Sequence, residues 1–177
     1  MRVHWARSQA ERLVQRLIDG GELSAPPVDP LKVARAIGLP VVSDDLGPDV
    51  SGLLIRRGEQ VLVAVQRADP PNRRNFTVAH EIAHHVLGHQ FQPGEHVHVD
   101  KGNYISHRGP RSSTGIDPKE VEANQFAAAL LMPSALVREA AQRFGSTLLD
   151  SNVSELARLF KVSDQAMTIR LSALGLL

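Results

Sequence analysis

Near the start of the chain, Ala10, Leu13, Val14, Leu17 and Ile18 recur at helical spacing, which predicts an amphipathic helix over residues 7–18. Gly20 and Gly21 end it. After the stiff connector PPVDP, Asp29 is suited to cap a short second helix, with Pro30 at its first position and Gly38 just past its end. The apolar runs then shorten to strand length. Val41 and Val42 predict a brief strand, and residues 53–55 and 61–65, joined by a turn containing Gly58, predict a β-hairpin. Helical spacing returns over residues 76–88, over 119–132 before Pro133, and over 134–144 before Gly145. The tail, residues 153–177, predicts two short helices around a turn at Val162 and Ser163, with Ser163 as N-cap. Residues 90–118 are polar and rich in Gly, His and Ser. They are expected to form a long loop of the kind that carries function.

Grouped strands among several helices point to an α+β fold, with helices packed on a small sheet. The 177 residues suit one compact domain or a domain with a small appendage. Aromatics supply only 4% of the chain, so aliphatic side chains and alanine must fill the core. A net charge of +1 gives no long-range attraction to nucleic acid or to an anionic membrane. The chain has no cysteine, which excludes disulfides, thiolate-bound zinc and a thiol nucleophile. The charged, amphipathic N-terminus lacks a signal peptide's apolar run, and nothing approaches the roughly 20 apolar residues of a transmembrane helix. A cytoplasmic protein is expected.

The chemistry concentrates in FTVAHEIAHHVLGH, where His80, Glu81 and His84 form H-E-x-x-H on a predicted helix. Residues four apart share a helix face, so two imidazoles reach one ion. A catalytic zinc site takes three protein ligands and leaves one position for water. Glu81, beside the first histidine, is the expected general base for that water.

The third ligand decides the subclass. A metzincin would need Gly at position 87 and His at 90, where this chain has Leu87 and Gln90. A glutamate on the second helix is the alternative. Glu120 and Glu122 stand about 200 degrees apart on that helix, so only one faces the ion. Glu122 leads an apolar stripe of Phe126, Ala129 and Leu130, which makes it the expected ligand. Glu120 falls off the stripe and is expected to be solvated. Zinc is the expected metal, and this ligand set also suits manganese or iron.

These motifs resemble the ImmA/IrrE family of metallo-endopeptidases. FTVAHEIAHHVLGH is followed some forty residues later by EVEANQFAAALLMP, with PPVDPLKVARAIGLPVV and SGLLIRRG before and VSELARLFKVSDQAMTIRLSALGLL after. The resemblance implies a zincin-like domain over residues 1–150 and helix-turn-helix-like helices over 151–177 packed on it. It implies His80, His84 and Glu122 as ligands and Glu81 as base. It also implies, as substrate or partner, a helix-turn-helix repressor or an antitoxin. Asn75 departs from the basic residue expected there, and a sensory domain of the kind that longer members carry is not expected.

Thr77 and Asn124 stand where they could orient ligands or simply cap and line helices. His85 lies about 100 degrees around the helix from His84 and is expected at the surface or behind a ligand. Tyr104, or one of His89, His96, His98 and His107 in the long loop, is a candidate oxyanion donor, against the plainer expectation of a solvated loop. Arg73, Arg74, Arg108 and Arg111 are expected in solvated loops. Residues 61–65 are expected to form a buried strand rather than a sheet edge open to substrate. In the tail, Gln165, Thr168 and Arg170 are the contacts a DNA-reading helix would use, but packing onto the domain or a partner is favoured. Three rival readings remain: an antirepressor acting by contact, a DNA-binding regulator, and another zinc hydrolase.

Overall fold

The computed structural model describes residues 2–24, 26–89, 97–100, 117–145 and 147–177, the four at 97–100 by backbone alone. Helices α1 (Val3–Asp19) and α2 (Pro30–Ala36) precede strands β1 (Val41–Asp44), β2 (Gly52–Arg57) and β3 (Gln60–Gln66). Helix α3 (Pro71–Val86) and strand β4 (Val97–Asp100) follow, and then α4 (Pro118–Leu131), α5 (Ser134–Gln142), α6 (Asp150–Phe160) and α7 (Asp164–Ala173). The class is α+β, as the sequence pattern indicates.

Local chemistry sets most boundaries. Asp29 accepts from the Leu31 amide at 2.9 Å, and Pro30 opens α2, the expected pairing of a capping carboxylate with a residue that needs no amide bond. Asp117 caps α4 in the same way through the Lys119 amide. The Ser163 hydroxyl accepts from Ala166 at the start of α7. Helix α3 begins earlier than its apolar pattern suggests, because Pro71 at its first turn is compatible with the helix and extends it into the loop segment.

The sheet has strand order β1-β3-β2-β4. Strand β1 runs parallel to β3 with Val41 opposite Val63, and β2 runs antiparallel to β3 with Leu54 opposite Val63. Arg57 pairs with Gln60, so Gly58 and Glu59 make a two-residue turn, with Gly58 at φ +61°. Strand β3 is flanked on both sides, so residues 61–65 are interior, as expected. The polar stretch 90–118 contains a strand that the loop expectation did not foresee. Strand β4 pairs with β2, Gly52 opposite Asp100. Its four residues are too short for periodicity to separate from a loop.

Helix α4 lies between α1 and α3, and α3 rests on β2 and β3. The core joins Leu54 and Val63 of the sheet to Ile82 and Ala83 of α3, Phe126 and Leu130 of α4, and Leu13 and Val14 of α1. In α4, Ala123, Phe126, Ala127, Ala129, Leu130 and Leu131 are all buried, so this helix is apolar on several faces rather than one.

The tail helices pack onto this body. Arg170 is buried, its Nε donates to the Met132 carbonyl at 2.8 Å, and its guanidinium pairs with Glu11 at 2.8 Å. Burial lowers its pKa from the ordinary arginine value, and the Glu11 bond opposes that. Arg170 is therefore a clamp between α7, α1 and the end of α4, and it is not displayed for DNA contact. Asn72 donates to the Val162 carbonyl at 3.2 Å and ties the α6–α7 turn to α3. Among the described residues no helix is long and apolar enough to cross a membrane.

Candidate metal centre

Helix α3 carries Thr77, His80, Glu81 and His84, all buried, with the two histidines facing α4 and Thr77 and Glu81 facing Gly52 of β2. Buried polar groups are costly unless they are engaged, and here they converge. His80 Nε2 and His84 Nε2 lie 3.0 Å apart. Glu120 of α4 closes the group, with Oε2 at 3.2 Å from His80 Nε2 and Oε1 at 3.4 Å from His84 Nε2. Among the described residues, His80, His84 and Glu120 are the cluster able to hold a metal ion. Zinc bonds of about 2.0–2.1 Å in a tetrahedron put neighbouring ligand atoms about 3.3 Å apart. The triangle observed here matches that spacing, so the residues fit the ion. Glu120 is 36% exposed, which leaves one side of the triangle accessible.

The two glutamates are thus oriented opposite to expectation. Glu120, expected in solvent, faces the histidine pair. Glu122, expected as the ligand, is turned toward α1. Its Oε1 accepts from the Arg2 backbone amide at 2.8 Å, and its Oε2 lies 3.5 Å from His89 Nε2. The backbone bond from Arg2 holds its carboxyl below the usual range, against the desolvation of its site. The reason lies in α4 itself. Because α4 is buried against α1 as well as α3, the face carrying Glu122 and Gln125 meets Arg2 and Arg7, and the face toward α3 is the one carrying Glu120 and Asn124.

Asn124 Oδ1 lies 3.0 Å from His80 Nδ1. With the His80 Nδ1 proton donated to that amide oxygen, Nε2 is free to face the ion. Glu120 and Asn124 are four apart, so one helix face provides both contacts. That spacing was visible in the sequence and distinguishes Glu120 from Glu122. His84 is supported on its other side by His89, whose Nδ1 lies 3.1 Å from His84 Nδ1. His89 is only 4% exposed, and the solvated-loop expectation fails for it. Burial lowers its pKa, although the Glu122 carboxylate 3.5 Å from its Nε2 works the other way. His85 is half-buried beside Arg56, and burial lowers its pKa too. Tyr104, His96, His107, Arg108 and Arg111 lie outside the described residues.

Strand β2 approaches α3 at Gly52. A Cβ there would overlap the Thr77 methyl and stand 3.1 Å from Glu81 Oε1. Thr77 therefore meets the sheet by its methyl group, and the absent side chain at 52 leaves room for the Glu81 carboxylate. Gly52→Ala is expected to cost about 1–3 kcal/mol of overpacking. At roughly 2–4 °C per kcal/mol for a domain of this size, the melting temperature should fall by several degrees. Calorimetry checks it. Adding Thr77→Ser, which deletes the opposing methyl, should restore most of the loss.

Next to the centre, a groove of about 720 Å³ runs between α3, α4 and α7, with Phe76, Asn124, Met132, Val162 and Ile169 among its lining residues. Asn124 belongs to both the groove and the His80 contact.

Comparison with known proteins identifies the family of the chain. Residues 34–172 match the model of a peptidase family described as the IrrE N-terminal-like domain. The chain is similar to the radiation response metalloprotease IrrE of Deinococcus radiodurans, 32% identical over 105 residues. That match covers 59% of this chain and 29% of the relative, so the chain spans less than a third of that protein. Its fold is also that of a Mycobacterium tuberculosis transcriptional regulator, with a TM-score of 0.56 at 18% identity, covering 97% of this chain and 52% of the other.

Proposed function

The chain belongs to the IrrE N-terminal-like domain family, and from that premise we propose that it is a zinc-dependent endopeptidase acting on a transcriptional repressor or antitoxin. The observation that carries the reading is the donor triangle of His80, His84 and Glu120 with Glu81 next to it in the same buried helix. Two imidazoles and one carboxylate are borderline-hard ligands that suit zinc, and manganese or iron would fit the same set. When bound, such an ion supplies Lewis acidity toward a carbonyl and toward water.

The remaining chemistry belongs to the chain. Glu81 takes the proton from the attacking water and returns it to the leaving amine nitrogen, the two transfers that peptide hydrolysis requires. Asn124 fixes the ring of His80. The groove between α3, α4 and α7 offers apolar anchoring beside the centre, as peptide recognition requires. The choice of a transcription regulator as substrate rests on the family resemblance.

The test measures metal content of the purified chain by mass spectrometry and counts new N-termini in a host lysate incubated with it. About one zinc per chain, with cleavage products that vanish on chelation and return with added zinc, is the expected result. A chain that takes up no divalent metal overturns the reading.

A further inference from the structure

The two imidazoles of the H-E-x-x-H motif are held from behind by different partners. For His80 the partner is the amide of Asn124. For His84 it is another imidazole, at a residue five positions further along the chain, and that contact has a second leg. Glu122 lies 3.5 Å from His89 Nε2, and the carboxylate is itself anchored by the Arg2 backbone amide at 2.8 Å. All three side chains, Glu122, His89 and His84, are at least nine-tenths buried.

We propose that His89 is a positioning residue that holds His84 for metal binding, with Glu122 selecting the tautomer of His89. Hydrogen-bond inventory fixes the direction. A carboxylate only accepts, so His89 presents its N–H at Nε2 toward Glu122 and keeps a lone pair at Nδ1. His84 Nδ1 is then the donor across the 3.1 Å gap. Its proton sits on Nδ1, and Nε2 keeps the lone pair that faces His80 and Glu120. Within the chain His84–His89–Glu122, reversing either proton leaves two donors or two acceptors face to face, and the lone pairs gathered at His80, His84 and Glu120 are those a cation would take. The chain of contacts also explains why a glutamate is buried on the α1 side of α4, away from the ion. Partners of this kind behind a ligating histidine typically govern metal affinity by 10–100-fold.

This inference rests on the metal-centre reading, and its test separates the two. Zinc affinity of the full chain is measured by competition with a chromophoric chelator for wild type, His89→Leu and His89→Asn, with melting temperatures alongside. Leucine keeps the volume without the acceptor, whereas asparagine keeps an acceptor near the position of Nδ1. The expected result is an affinity about 10–100-fold lower for His89→Leu. His89→Asn should recover most of it, with both variants folded. Equal affinity in wild type and His89→Leu overturns the positioning role and leaves the metal centre standing. Equal losses in both variants, matched by a drop in melting temperature, assign His89 to packing and overturn it too. Failure of wild type to bind zinc removes the metal centre and the inference together.

Discussion

Glu120→Ala should lose zinc binding, with affinity falling by well over 100-fold, and Glu122→Ala should retain it with a loss within about tenfold to 100-fold. The first substitution removes one of three donor groups from the triangle with His80 and His84, where the Glu120 carboxylate oxygens lie 3.2 and 3.4 Å from the two imidazoles. The second removes only the anchor of His89, an indirect effect whose ordinary size is 10–100-fold. Glu122 also sits where α1 meets α4 through Arg2, so a few degrees of melting temperature should go with it. Glu120 is partly exposed near the start of α4, so Glu120→Ala should stay folded. Chelator competition and calorimetry on the two variants decide it. If Glu122→Ala instead empties the site while Glu120→Ala keeps its zinc, the assignment of the two carboxylates is reversed.

The glutamate pair shows where sequence patterning stops being informative. For α1 the apolar stripe identifies the buried face, whereas in α3 every residue from Thr77 to His84 is buried, and the spacing of the H-E-x-x-H motif marks the face that carries the imidazoles. The positions of His80, Glu81 and His84 were legible for that reason, while both helices begin several residues before their apolar patterns do. Helix α4 is likewise enclosed on more than one side, and an apolar stripe on such a helix only says which neighbour is greasier. What would have chosen correctly is the four-residue spacing of Glu120 and Asn124, a ligand and a partner on one face.

Distance along the chain hid other parts. His89 is buried because the turn after α3 folds back on it, with its amide donating to the His84 carbonyl at 3.1 Å, and no periodicity encodes that return. Strand β4 is a short polar alternation whose partner, β2, lies more than forty residues earlier. The hairpin turn and the helix caps were legible because Gly58, Asp29 and Ser163 act on adjacent backbone.

Glu81→Gln separates catalysis from binding. The side chain is fully buried in α3, one residue from His80, and glutamine has nearly the same shape, so the substitution should leave metal content close to one per chain. What it removes is the ability to accept a proton from water and pass it to the leaving nitrogen. General acid–base catalysis of that kind contributes about 10²–10⁴-fold, or roughly 3–5 kcal/mol in the barrier at 1.36 kcal/mol per decade. The expected result is a fall of that size in kcat with little change in KM, because substrate contacts in the groove beside Asn124 are untouched. The same variant distinguishes proteolysis from action by contact. If the Gln variant relieves repression in cells as well as wild type does, the chain works by holding its partner, and the acid–base role of Glu81 is not used. If relief is lost while partner binding persists in pull-down, the buried carboxylate is what turns binding into cleavage.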